Sequence, residues 1–322
     1  MRPEDIVKMD LDKEVFTLIT QLESSKNGCR AHEKKKTAIL LRKASLVRSI
    51  NSSLAIEGNN LGPLSVSDII NGKQVIGPFD EIIEVKNAIK AYGEIGRWRT
   101  WSVDDFLDAF DTLMFGLVEE PGFRKCGVGI FEGDSLIYQA PPYDQVPDMM
   151  ERLFGWGSSS RLPEPVIGAV VHFYIESIHP FVDGNGRIGR LWNTKIMVDS
   201  DPIYGLVPME TYIRRRQEDY YHVLEECQSI CQFDCTPFVK FCLNCFIDAF
   251  RDLSHLSDEN ISSLLDAMGD DTLSLKEIMA RMGYKSRDKF MKNYLNPALE
   301  FGIISRTEVK NSSKYQMYRR VV

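Results

Sequence analysis

The run from Ser177 to Arg190 constrains this chain more than any other stretch of it. Thirteen mostly apolar residues, Val166 to Ile178, lead into it, and helical periodicity resumes over 187–200. Gly184, Gly186 and Gly189 fall within six residues, so a single helix through the segment is strongly disfavoured. It reads as a turn joining two helices, and its polar content is not that of a core. His179, Asp183, Asn185, Arg187 and Arg190 stand within twelve residues. Glycine can turn successive backbone N–H groups toward one point, which makes an anion nest. A helix starting near Arg187 aims its N-terminal dipole at the same point. Arg187 and Arg190, three apart, reach one phosphate chain together. Asp183 offers a hard oxygen for Mg²⁺, and His179 an imidazole able to accept a proton.

Two other readings compete. Gly184 to Gly189 matches GxGxxG, but the dinucleotide fingerprint needs a strand running directly into its first glycine. His179, Pro180 and Asp183 intervene, and no βαβ alternation surrounds them. His172, His179 and Asp183 could instead hold a metal. His172, however, lies on an apolar helix face, where a core histidine is the commoner case.

The remaining chain is mainly helical. Periodic stretches cover 12–23, 33–56, 66–70, 80–95, 103–117, 144–155, 164–178, 187–200, 208–229 and 235–256, with 24–28 and 59–65 as connections. Gly58 ends the second stretch and Ser102 caps the fifth. Between 124 and 142 the pattern changes. Val128, Ile130, Leu136 and Ile137 flank Glu132, Gly133 and Asp134, which predicts a β-hairpin. The last fifty residues read as a helix from Ser274 to Met282, a turn at Gly283, a helix from Ser286 to Gly302, and strands over 303–306 and 315–321. That is the layout of a winged helix-turn-helix.

From Thr272 onward, 11 Lys+Arg face 4 Asp+Glu, in a chain whose formal net charge is −7. A basic tail on an acidic body suggests contact with nucleic acid or an acidic partner, or simply a solvated lysine-rich face. Five of the seven cysteines, Cys227, Cys231, Cys235, Cys242 and Cys245, follow helix-face spacing rather than paired CxxC spacing, which favours core packing over zinc. The longest apolar run carries His172 and Glu176 and is too short for a membrane span. The charged first residues show no secretory signal, so the expected location is the cytoplasm.

At His179 to Arg190 the sequence resembles the Fic family, fitting its HxFx(D/E)GNGRxxR signature at every fixed position. Ser53 to Gly58 likewise resembles the (S/T)xxxE(G/N) inhibitory-helix motif, and Pro121 to Arg124 resembles the family ahead of its flap. The resemblance implies three units. An N-terminal helical region, 1–100, holds an inhibitory helix at about 36–58. A Fic-type helical core, 101–256, holds a β-hairpin flap at about 124–142 and the active-site loop 179–190. The winged helix follows over 257–322.

It also implies transfer of AMP from ATP to a Ser, Thr or Tyr hydroxyl of a target protein, the chain itself included. Catalysis is assigned to His179, Asp183, Asn185 and Arg187, and Mg²⁺ to Asp183. ATP contacts are assigned to Glu57, Asp183, Gly184, Asn185, Gly186, Arg187, Gly189, Arg190, Tyr220 and Gln228. Ser53, Glu57 and Arg190 form the inhibitory set, and Ile137, Tyr138 and Gln139 the target-docking flap. Gly186 resembles the AMP-transferring members; a lysine there would have suggested the Doc-type kinases. Phe110 and Asp111 stand where relatives often carry a histidine. Two alternatives stay open: removal of AMP by the same site, and a DNA-binding regulator with a nucleotide-sensing Fic domain. DNA and a second copy of the chain also stay open as partners.

Overall fold

A computed structural model describes residues 7–33, 37–119, 122–132, 135–307 and 316–321, and of 130–132 and 135–138 the backbone alone. The chain opens with α1 (Lys13–Gly28), whose Val15 N–H donates to the Asp12 side chain. It runs through 24–28, read from sequence as a loop. Lys26 is held there by Glu23 at 2.7 Å and Asp201 at 3.6 Å, so tertiary contacts override weak helix propensity. A short α2 (Arg30–Glu33) precedes α3 (Ala38–Ile56), and Gly58, at φ 94°, follows α3. Then come α4 (Pro63–Ile70), started by a proline at its first position, α5 (Phe79–Gly93) and α6 (Val103–Leu113). Ser102 caps α6, which ends four residues earlier than its periodicity suggested.

The hairpin is β1 (Gly129–Glu132) and β2 (Ser135–Gln139), antiparallel, with Gly129 opposite Gln139. Its tip, Gly133 and Asp134, lies outside the described residues, as does Pro121. After α7 (Val146–Ser159), α8 (Glu164–Ile178) forms the centre of the molecule and is buried on nearly every face. A helix apolar all round has to be central, because no face of it suits water. It packs against α9 (Asn185–Ser200) on one side and α12 (Thr236–Ser254) on another. An aromatic cluster of Phe106, Phe154, Phe181 and Trp192 joins α6, α7, the loop and α9. Between α9 and α12 lie α10 (Met209–Arg215) and α11 (Gln217–Ser229), separated at Arg216 where one helix was expected. Cys235, Cys242 and Cys245 are buried at the start and along the inner face of α12.

Ser257 caps α13 (Asp258–Met268), a helix the sequence reading left out. Next come β3 (Leu273–Ser274), α14 (Leu275–Arg281) with a full Ser274–Glu277 capping box, α15 (Arg287–Phe290), a π-helical turn at Met291–Leu295, and α16 (Asn296–Glu300). Strands β4 (Ile304–Arg306) and β5 (Met317–Arg320) close a three-stranded antiparallel sheet in the order β3-β5-β4. Helix, strand, helix, helix and two strands is the order of a winged helix-turn-helix. Most of the turn between β4 and β5 lies outside the described residues. This sheet and α16 pack on α3 and α4. Ser67 donates to the Val321 carbonyl, Arg319 pairs with Asp68 at 2.7 Å, and Phe301 faces Arg48. Among the described residues, no helix is long and apolar enough to cross a membrane.

Candidate active site

The site is built where α8 stops and α9 starts. His179 follows α8 in the left-handed region at φ 52° and ψ 60°, an unusual conformation for a residue with a Cβ. Arg124, buried beneath the hairpin, secures it. Its Nε donates to the His179 carbonyl at 2.7 Å, and its backbone N–H donates to the Pro180 carbonyl at 2.9 Å. Its other guanidinium nitrogens donate to Cys126 at 2.8 Å and Pro141 at 2.5 Å, the two ends of the hairpin. One side chain thus ties flap to loop. The resemblance at Pro121 to Arg124 gave Arg124 no role of its own, because a bond to a backbone carbonyl leaves no signal in the sequence.

Asn185 closes the turn. Its Oδ1 accepts from Phe181 N–H and its Nδ2 donates to Phe181 O, both at 2.9 Å. Both ends of this amide are thus engaged within the loop, at a residue where the expectation had a phosphate contact. Phe181 stacks on Phe110, centroids 3.4 Å apart. The helix α9 starts at Asn185, two residues earlier than expected, so its first N–H groups belong to the loop itself.

Burial pushes the His179 imidazole below its ordinary pKa. Its Nδ1 lies 3.3 Å from the Glu176 carbonyl, and a proton shared there leaves Nε2 as the accepting nitrogen. Arg187 donates to Asp183 at 2.8 Å and to Glu84 of α5 at 2.7 Å. Glu84, in turn, accepts from Asn59 at 2.8 Å. The sequence reading missed Glu84, since an acid on an amphipathic helix carries no motif.

Arg190 is fully buried and faces α3. It donates to Ser53 Oγ and to Ser53 O, each at 3.0 Å, and to Glu57 Oε1 at 2.6 Å. Gly186 makes this approach feasible. A Cβ there would stand 2.5 Å from Glu57 Oε1 and 2.9 Å from Arg190 Nη1. Two side chains of α11 hold the end of α3, because Gln217 at 3.2 Å and Tyr221 at 3.3 Å both donate to the Ile56 carbonyl.

Behind this pair lies a buried polar chain. Tyr220 donates to Glu176 Oε1 at 2.8 Å and sits 3.1 Å from His172 Nε2. Burial raises Glu176 to about 7 and lowers His172 to about 3. Tyr220 is thus placed behind the wall of the site, where the expectation had an ATP contact. Gly189 is likewise placed at the α8–α9 contact, its would-be Cβ 3.0 Å from His172. Gln228 does face the opening and donates to Ser177 Oγ at 3.1 Å. The result is a cavity of about 380 Å³ lined by Glu57, Glu176, His179, the loop 182–186, Tyr221 and Gln228. Gln139 is exposed on β2; the side chains of Ile137 and Tyr138 lie outside the described residues. No cluster of three or more metal-ligating side chains occurs among the described residues. Asp183 alone, exposed at the cavity mouth, fits a Mg²⁺ that takes most of its ligands from phosphates and water.

Residues 80–197 match the Fic/DOC family, and residues 259–320 match the Fic-like C-terminal domain described as filamentation induced by cAMP protein. A Fic family protein from Desulfovibrio desulfuricans G20, solved as a crystal structure, is 37% identical, with a TM-score of 0.70 and 98% of both chains covered. A protein adenylyltransferase Fic from Culex quinquefasciatus is 26% identical over 232 residues, covering 66% of this chain and 44% of that protein. A probable protein adenylyltransferase from Aquifex aeolicus is 29% identical over 120 residues, covering 37% of this chain and 34% of that one. The chain spans less than half the length of these curated relatives.

Proposed function

The chain belongs to the Fic family, and from that premise we propose that it is a protein adenylyltransferase moving AMP from ATP to a protein hydroxyl, restrained by Glu57. The observation that supports this best is His179, which lines a cavity whose floor is the start of α9. His179 takes the proton of a Ser, Thr or Tyr hydroxyl. The oxygen attacks the α-phosphorus, the bond to the β-phosphate breaks, and pyrophosphate leaves. The backbone N–H groups of Asn185, Gly186 and Arg187 face the developing charge without reorganising. Asp183 is the residue to hold Mg²⁺, which when bound offsets phosphate charge. Arg187 and Arg190 take the far phosphates once Glu84 and Glu57 yield them.

The same reading divides the chain into 1–100, 101–256 and 257–322. It gives less weight to DNA, because Arg281 and Arg319 of the basic tail are already paired with Asp271 and Asp68.

His179→Ala tests the reading. A general base contributes about 10²–10⁴-fold, so label transfer from α-labelled ATP is expected to fall by that much while ATP affinity holds. In the parent, the acid limb of the rate profile should lie below pH 6.5, because burial lowers the imidazole and the neutral base persists there. Undiminished transfer in the variant would remove His179 from the mechanism.

A further inference from the structure

A second cavity, of about 570 Å³, opens between α3, α10 and the C-terminal sheet, on the face of α3 away from Glu57. Its polar lining is strongly one-sided. Arg48, Arg214, Arg215 and Arg306 border it, against one acid, Glu300. Arg215 is engaged by Asp252 at 3.2 Å, and Arg214 reaches Asn51 at 3.3 Å. Arg48 differs. Its side chain is more than nine-tenths buried, and its Nη1 has no hydrogen-bond partner. No carboxylate lies within ion-pair distance of it among the described residues. The faces of Phe301 at 5.3 Å and Tyr212 at 6.0 Å flank the charge, and Asp252 acts on it from beyond ion-pair distance. An arginine stays protonated in a protein, so this is a buried cation with no directly paired carboxylate among the described residues. Contact with Gly302 fixes it in place, since a Cβ there would stand 2.5 Å from Arg48 Cδ. Pro63, Leu299, Ile304 and Val321 supply an apolar wall opposite the arginines.

We propose that this cavity binds a small phosphate-bearing anion, its phosphate neutralising Arg48 together with Arg214 and Arg306. The volume suits a molecule of mononucleotide size, and guanidinium groups suit phosphate geometry. The apolar wall has room for a ring. Because Arg48 and Asn51 share a helix with Ser53, and Glu57 caps its C-terminal end, an occupant there rests directly on the helix that pairs with Arg190. The site is independent of the adenylyltransferase reading and stands whether or not that reading does.

Calorimetric titration of the full chain tests the proposal, with inorganic pyrophosphate, AMP and ADP as probes at low salt. Binding that survives Asp183→Ala but weakens at least ten-fold in an Arg214→Ala/Arg306→Ala variant would support it. Equal affinities for pyrophosphate and ADP would mark a bare phosphate site, and tighter ADP a nucleotide site. Arg48→Met guards against misfolding: the folded variant should lose the ligand-induced rise in melting temperature without losing its own. The proposal is overturned if no probe saturates by about 1 mM, if affinity is unchanged in the Arg214/Arg306 variant, or if duplex DNA binds there and small phosphates do not.

Discussion

Arg124 shows how much one side chain can organise. Four backbone carbonyls, from both ends of the hairpin and from the end of α8, accept from its guanidinium. Replacing it with Met leaves those buried acceptors unmatched, each costing about 1–3 kcal/mol before relaxation. Arg124→Met should therefore lower stability by about 2–4 kcal/mol in urea unfolding. It should also cut label transfer more than ATP affinity, because His179 loses its brace. A variant with parental stability would show that the brace is dispensable. Glu176 allows a test by pH. Burial raises its carboxyl from 4.5 to about 7, so the folded chain keeps a proton that the unfolded chain has already released. In that window this group lowers stability as pH rises. Compared between about pH 5 and about pH 7, the parent should lose stability relative to Glu176→Gln. A constant difference between the two would contradict the raised value.

At the scale of elements, the hairpin is a two-stranded ribbon, so among the described residues each strand has an edge left unpaired. Ala140 N–H donates inward to the Val128 carbonyl, and antiparallel alternation turns the Gln139 N–H outward. Gln139→Pro should spare the hairpin yet remove a donor that an extended target segment would use. Modification of an external target should then fall more than ATP affinity; equal loss of both would mean the hairpin had collapsed. The elements also show what was legible in sequence. The bounds of α8 were readable because its apolar run ends sharply at His179. The α13 signal is present in Ser257 and in Ile261, Leu264, Leu265 and Met268, spaced for one helix face. β3 was not readable, since two residues become a strand only by pairing with β5. The break at Arg216 was not readable either: no proline or glycine marks it, and Arg216 pairs with Asp248 on α12. In the site, the motif residues could be located from their spacing. Their partners Glu84 and Gln217 could not, because only the fold brings them near, and Arg124 could be located but not given its bracing role.

At the scale of the whole molecule, α3 connects what the sequence keeps apart. One face carries Ser53 and Glu57 against Arg190, and the other carries Arg48 toward the C-terminal sheet. In the proposed function this chain transfers AMP, and Glu57 restrains it by holding Arg190. A carboxylate beside the place of a phosphate repels it in a partly desolvated site, and it neutralises the guanidinium the phosphate would use. The most direct measurement compares auto-modification from α-labelled ATP with Mg²⁺ in the parent, Glu57→Gly, Arg190→Ala and the double variant. Glu57→Gly is expected to gain at least ten-fold, equivalent to about 1.4 kcal/mol, and the double variant to be as inactive as Arg190→Ala. Transfer by Glu57→Gly no faster than the parent, with any protein supplied, would contradict the proposed function.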